Sequence, residues 1–436
     1  MTIMILIKNI SYYKSSIMNL VYKSVTMIIS FFSVPIFLNF LGKESFGVWQ
    51  TILSILGWIS LSNFGLGNGL RNLIAKLDKI QNKKEINNLI STSFIISLLV
   101  SAFVFVLFIM IIQFIDISLI FKGFTSDFNL IKRVLILSVF FFCLNLILGL
   151  IHSIIFAFEK SHYVSLIYLL FNAFFVFTIL FLGDRNDDKN ILIVAFFYGF
   201  FNLIITFLFG VYIFSKYKLS FHFNVIKKQT INKLISLSGN FFFLQIAMLF
   251  LFSIDNILIG YLLGVIDVTS FSIVNKINFV IINLYSMLLI QLWSSVTVQQ
   301  SKNNLNSLSG LVRNLKLILI IPIIFYLIFF MYYEDFFKFW LGQELNINLT
   351  TIIILAIYTI FHLWNALHVN ITNGLGKLKN QILSYSIGGI LYVFFALILV
   401  NKLGLGIDGV CIAKVIGILI PAIVSTLEVN KYFYIK

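Results

Sequence analysis

Charge is what this sequence has least of. Of 436 residues only 11% are Asp, Glu, Lys or Arg, against about 25% in an ordinary soluble domain. There are 16 acids, three prolines and two cysteines. Set against 60% hydrophobic residues and 50 phenylalanines, this shortage excludes a cytoplasmic enzyme, a secreted domain and a disulfide scaffold. A chain so apolar must use the bilayer as its solvent. Cys143 and Cys411 both lie inside apolar runs and carry no message about redox compartment. No Cys/His cluster has metal-ligand spacing and no serine nucleophile elbow is present, so neither a metal nor a cofactor is expected. The opening MTIMILIKNI is apolar for only a few residues and no small-residue cleavage site follows, so no signal peptide is expected.

What is present is a series of long apolar runs: 18–40, 46–68, 89–114, 131–157, 163–183, 190–214, 238–262, 269–294, 311–332, 350–373, 381–400 and 406–427. Each approaches the roughly 20 residues that a helix needs to cross a hydrocarbon core. They are too long for barrel strands and lack strand alternation. The fold class predicted is an all-α integral membrane protein with twelve transmembrane helices. The connecting segments sort the charges. One side holds 21 basic residues and 4 acids, the other 8 basic residues and 11 acids. The positive-inside rule makes the first side cytoplasmic and puts both termini there. The net charge of +15 is therefore read as topology, and no nucleic-acid partner is expected. The basic segments 69–88 and 215–237 read as topology determinants near anionic membrane lipid, or as a protein-docking surface.

The chain divides near residue 217 into two six-span lobes, 1–216 and 217–436. LGKESFGVW (41–49) and LGVIDVTSFSIV (263–274) stand 222 residues apart, and FAFEKSHYVS (156–165) and NGLGKLKNQI (373–382) stand 217 apart, at equivalent places in the two halves. Six spans is an even number, so the repeat is parallel, as in two-lobed transporters with a substrate path between lobes. Pro35, Pro322 and Pro421 all fall inside spans. Pro35 is expected to mark a bend, either a hinge for the first lobe or a static kink. Trp49 and Trp340 are expected in the interfacial belts.

Three charges remain deep in the apolar runs: Asp255, Lys276 and Lys414. Such groups cost several kcal/mol to insert, about 2.5–3.5 on insertion scales, and are functional candidates by default. Asp255 lies seven residues before the outer end of its span and Lys276 seven residues into the next, so the two are expected at one depth, about 10 Å below the surface. They read either as a structural ion pair or as an ion-coupling site at Asp255 beside an anion contact at Lys276. Lys414 has no obvious acidic partner and reads as anion-facing. Lys276, Asn283 and Met287 share a helix face with Gln291 near it, and His362, Asn365 and Asn373 share another. Such stripes either join helices or line a wet cavity, and cavity lining is the expectation for the first. Lys23 and Arg71 read as phosphate contacts or as residues snorkelling to headgroups. GLGIDG (404–409) matches the dinucleotide pattern, but it sits between two spans with no strand before it.

LGKESFGVW (41–49), SNFGLGNGLRN (62–72), SIDNILIGYLLG (253–264), FSIVNKIN (271–278), NITNGLGKLKNQ (370–381) and GIDGVCIAK (406–414) together resemble the polysaccharide repeat-unit flippases of the O-antigen (Wzx) type. These belong to the multidrug/oligosaccharidyl-lipid/polysaccharide exporter (MOP) superfamily, and the resemblance covers essentially the whole chain. It implies a MATE-like fold in a bacterial inner membrane and no enzymatic activity. It also implies alternating-access transport of polyprenyl-diphosphate-linked oligosaccharide to the outer leaflet, beside a polysaccharide polymerase and chain-length partners. The diphosphate would meet Lys23, Arg71, Lys276 and Lys414, with Asp255 coupling an ion. A drug or cation antiporter of the same superfamily is the nearest alternative. A membrane polymerase or glycosyltransferase is more distant, its only room for catalysis being the external acids Glu334, Asp335 and Glu344.

Overall fold

The computed structural model of the protein describes residues 2–63, 65–79, 81–125, 127–183, 189–221, 244–301, 305–342 and 348–432. Fifteen α-helices follow one another in these segments: α1 (Thr2–Ile59), α2 (Leu66–Lys79), α3 (Lys83–Phe114), α4 (Phe128–Leu148), α5 (Leu150–Ala157), α6 (Ser161–Leu182), α7 (Asn190–Tyr217), α8 (Leu244–Phe252), α9 (Asp255–Leu262), α10 (Val265–Ser301), α11 (Ser309–Ile318), α12 (Ile320–Leu341), α13 (Leu349–Gly374), α14 (Leu378–Asn401) and α15 (Gly406–Asn430). An apolar solvent leaves this backbone no other way to satisfy its hydrogen bonds in open-ended segments.

Among the described residues, ten continuous helices are long and apolar enough to cross a membrane, and the bent pair α8 and α9 makes eleven. The first of the ten, Ile17–Ile59, has 43 residues; straight, it would be about 65 Å long, twice the depth of a bilayer. Gly42 interrupts it with φ 74° and ψ 168°, backbone that only glycine adopts without strain. With that division the arrangement is consistent with twelve spans, and the protein is a multi-pass membrane protein. Gly42 falls in the connection expected between the runs 18–40 and 46–68, and Pro35 sits inside helical geometry. Trp49 and Trp340, expected in interfacial belts, are packed inside the protein at 3% and 6% exposure.

The chain forms two compact units. The first comprises Met1–Ser45, Ile55–Ser118 and Thr125–Phe242; the second comprises Phe46–Ser54, Leu119–Phe124 and Phe243–Lys436. In the first, amphipathic α2 buries Leu66, Leu70 and Ile74 at a spacing of four and leaves Arg71, Lys76 and Asp78 exposed. The buried polar groups of the first unit are mostly hydroxyls; Ser91 and Thr92 bond back to their own helix, to the carbonyls of Asn87 and Asn88, both at 2.8 Å.

In the second unit, Tyr285, Leu289, Leu292 and Val296 of α10 pack with Leu363, Leu367 and Ile371 of α13 in one apolar cluster. The α9–α10 turn is held by the Val265 amide donating to the Lys122 carbonyl at 2.9 Å. A Cβ on Gly47 would come within 1.9 Å of the Val265 carbonyl oxygen, so only glycine fits there.

Candidate functional site

The site is assembled in the second unit, where a helix breaks. Between α8 and α9 the axis turns by 45°, and Asp255 is the first residue after the break, in the first turn of α9. A carboxylate is favoured there because the unpaired amides of a helix start carry positive partial charge.

Two other helices converge on it. A Cβ on Gly388 of α14 would lie 2.4 Å from the Gly417 carbonyl oxygen of α15, and one on Gly417 would lie 2.9 Å from that of Gly388. The absence of both side chains lets the two backbones touch, which is how helices pack in lipid. Gly389 is equally tight against Phe250 of α8, its Cβ position 2.8 Å from that residue's. Tyr392 stands four residues beyond Gly388 and Lys414 three before Gly417, so this contact delivers both side chains to Asp255.

The Lys414 ammonium lies 2.7 Å from Asp255 Oδ2, and the Tyr392 hydroxyl donates to Oδ1 at 2.6 Å. All three residues are buried, with 2% of the Lys414 surface exposed. The ammonium also sits 4.4 Å from the centre of the Tyr358 ring of α13 and 5.3 Å from that of Phe271 of α10, a cation–π cage worth about 2 kcal/mol or more when desolvated. Tyr358 continues the network to His362, 3.2 Å from hydroxyl to Nδ1. The His362 ring meets Phe252 edge-on, and Phe252 meets Tyr385 likewise. Asn365 donates to the Tyr385 hydroxyl at 3.0 Å and accepts from Ser425 at 3.2 Å.

The geometry corrects one sequence expectation. Asp255 pairs with Lys414, 159 residues away, and not with Lys276. α10 begins at Val265 instead of 269, so Lys276 lies eleven residues into its helix, about 6 Å deeper than Asp255 at 1.5 Å per residue. Its ammonium stands 5.4 Å from the Phe279 ring on its own helix. Lys414, expected to face an anion, is at rest the counter-ion of Asp255.

Of the remaining sequence candidates, Asn283 donates to the Phe279 carbonyl of its own helix at 2.8 Å. Asn365 joins three helices and is 1% exposed. Gln291 lies outside the described side chains. Lys23 on α1 and Arg71 on α2 are exposed residues of the first unit, the Arg71 guanidinium 5.2 Å from the centre of the Phe156 ring.

Sequence reading missed Tyr358, Tyr385 and Tyr392. Eighteen tyrosines in so aromatic a chain give no signal unless the buried charges are already placed. It missed Asn256 too, which donates to the Gln50 carbonyl at 3.2 Å and to Ser54 at 3.1 Å, and accepts from Ser272 at 3.2 Å. Its position beside Asp255 in a broken helix was the available clue.

A protein of Yersinia pseudotuberculosis to which O-antigen export is ascribed is 29% identical over 262 residues, which cover 58% of this chain and 57% of that protein's length. Among solved structures, an inward-facing multidrug-resistance MATE transporter of the MOP superfamily superposes with a TM-score of 0.77, at 18% identity over 96% of this chain and 98% of that one. The lipid II flippase MurJ, in an inward closed conformation, superposes with a TM-score of 0.74, at 14% identity over 95% and 87%. These two likenesses show the fold alone, a helical fold shared with that MATE transporter and with MurJ, as the resemblance implied. The family model of the polysaccharide biosynthesis proteins matches residues 12–293, well over half of the chain, and the protein belongs to that family.

Proposed function

We propose that this protein is a flippase that moves polyprenyl-diphosphate-linked oligosaccharide from the cytoplasmic to the outer leaflet of a bacterial inner membrane by alternating access. The observation that carries the reading is the set of charges well inside the spans of the second unit: one acid, Asp255, against two lysines, the buried Lys414 and the half-buried Lys276, in a chain of the polysaccharide biosynthesis family; the buried Glu428 stands two residues from the end of α15. A carrier of cationic drugs needs an excess of acid in its membrane interior. Well inside these spans the lysines outnumber the acid, which suits a diphosphate.

Sugar hydroxyls and phosphates lose several kcal/mol each in hydrocarbon without partners, so the head group needs a sheltered path while the polyprenyl tail stays in lipid. Lys414 is committed to Asp255 in the structure described. An arriving diphosphate would compete for that ammonium, and Asp255 would take up the coupling cation, so that substrate and ion exchange for one another on the same pair. Lys276, Asn283, Gln291, His362 and Asn365 would line or brace that path. Lys23 and Arg71 would receive the diphosphate at the cytoplasmic mouth of the 1–216 lobe, with the 217–436 lobe carrying the coupling pair. An inside-negative potential adds about 2.3 kcal/mol per negative charge per 100 mV in the outward direction.

The charge asymmetry of the connecting segments supports cytoplasmic termini. A polymerase and chain-length proteins would consume the product outside. The enzyme alternative rests on Glu334, Asp335 and Glu344. Glu334 accepts from the neighbouring Tyr333 hydroxyl at 2.7 Å, and Glu344 lies outside the described residues. Alanine at all three would abolish an enzyme and leave a flippase working.

The deciding experiment is deletion of the gene, followed by extraction of lipid-linked glycan and labelling with an impermeant reagent from the periplasmic side. The flippase reading predicts complete repeat units held on the cytoplasmic leaflet. Unpolymerised units on the outer leaflet would indicate a polymerase, and unchanged pools would favour the drug antiporter.

A further inference from the structure

The first unit carries a polar group that the transport reading does not use. It lies where α6 begins and α7 ends, the end of both helices that the basic connecting segments assign to the cytoplasmic surface. In its last turns α7 buries Gly210 and Ile213 and exposes Phe207, Leu208, Val211 and Tyr212, followed by Ser215 and Lys216. This row is apolar up to the Tyr212 hydroxyl, with Leu208 57% and Val211 54% exposed. A continuous apolar face of this kind on a membrane helix is a surface for hydrocarbon chains, and here it runs directly into a lysine.

α6 brings Tyr163 to the same place. The Lys216 ammonium donates to the Tyr163 hydroxyl at 3.1 Å and to the Tyr212 hydroxyl at 2.9 Å, and the two hydroxyls stand 3.3 Å apart. Packing around the group holds it in place. The Phe158 ring, at the α5–α6 turn, stacks on that of Tyr217 with centres 4.1 Å apart, and the His162 ring lies against that of Tyr163 at 4.3 Å. His162 Nδ1 is in turn 2.6 Å from Ser15 Oγ of α1. Lys160 is half-buried and, like Lys216, within electrostatic reach of His162. The acids of this end, Asp78 and Glu159, are exposed, and among the described residues neither lysine is in an ion pair.

The proton count sets the sign of the ligand. An ammonium has three protons and each tyrosine hydroxyl one. Two ammonium protons go to the hydroxyls, and one hydroxyl donates to the other. One N–H and one O–H are left, both beside a positive charge, with the second lysine close by. Water would accept these protons and leave the charge unanswered. An oxyanion answers both, through charge-assisted hydrogen bonds.

We propose that this end of α6 and α7 is a binding site for one anionic phospholipid. Lys216 and the hydroxyls of Tyr163 and Tyr212 hold its phosphate, with Lys160 alongside, and an acyl chain lies along Val211, Leu208 and Phe207. A soluble phosphate would leave the apolar row uncovered, and it is the junction of that row with the lysine that selects a lipid. The bound lipid ties the ends of the two helices together. The site lies within the first unit and does not depend on the flippase reading.

The test is native mass spectrometry of the purified full-length protein, delipidated in detergent and titrated with phosphatidylglycerol or with phosphatidylcholine of the same chain length. The wild type should bind one phosphatidylglycerol in clear preference to phosphatidylcholine. Lys216→Ala should lose about tenfold or more in that affinity, whereas Lys76→Ala, at an exposed lysine of the same unit, should keep it. If Lys216→Ala fails to fold, Tyr212→Phe removes one hydroxyl with little change of shape and should weaken binding severalfold. Equal binding of the two lipids, or wild-type affinity in the folded Lys216→Ala protein, would overturn the proposal. Two competitors separate the sources of phosphate, and neither glycerol phosphate nor undecaprenyl diphosphate should displace the bound lipid. Displacement by glycerol phosphate would show a site for soluble phosphate, and displacement by undecaprenyl diphosphate would give the site to the transported lipid; either would overturn the assignment.

Discussion

The two units solve the same problem, holding helices together in lipid, with different chemistry. Among the described residues the buried polar groups of the first unit are serines, threonines and Asn190, which donates to the Phe40 carbonyl at 2.8 Å. None of them titrates. The second unit buries Asp255, Lys414, Glu428 and His368. Neutral hydroxyls cost less to bury than charges and have no second charge state. A buried ion pair has two states separated by a large electrostatic difference, and a partner arriving from outside can select between them. The contrast teaches that, among the described residues, buried charge is confined to the second unit.

The largest effect should come from removing one half of the pair. Lys414→Met leaves the Asp255 carboxylate buried and uncompensated, a loss of about 3–5 kcal/mol. The expected result is low membrane abundance and a broad size-exclusion profile. Asp255→Asn on top of it removes the stranded charge and should restore most of the folded protein.

The next comparison sets one glycine in each unit against the other. Gly388→Ala drives a methyl into the Gly417 carbonyl, backbone that cannot yield, and should cost about 1–3 kcal/mol. Gly210→Ala in the first unit meets the end of the Ile151 side chain at 2.4 Å, which can rotate away, so its cost should be smaller. Thermal midpoints of the two variants in one detergent measure the difference, and equal shifts would remove the special role given to the α14–α15 contact.

The smallest effect belongs to the first unit's hydroxyls. Ser93 and Ser101 are buried with no hydrogen-bond partner at Oγ, so Ser93→Ala and Ser101→Ala should change stability by about 0.5 kcal/mol or less in either direction. A large loss at either would show that the neutral unit also depends on specific polar contacts.

The fold class was legible because a 60% apolar chain leaves few architectures, and Asp255 and Lys414 were legible because charges are rare inside spans. Their pairing was not. The sequence places Asp255 next to Lys276 across a short turn, and the register that separates them depends on α10 starting at Val265. Lys414 arrives from a distant helix through the contact of Gly388 with Gly417, and glycine carries no directional signal in a sequence.

The central claim is that the Asp255–Lys414 pair works in transport and is more than a strut. Its most direct test is the double variant Asp255→Asn/Lys414→Met, reconstituted in proteoliposomes with lipid-linked oligosaccharide on one leaflet and assayed for flux to the other. The account predicts a folded protein of near wild-type abundance with at least hundredfold slower flux. Wild-type flux from that variant would contradict it and leave the pair as structural glue.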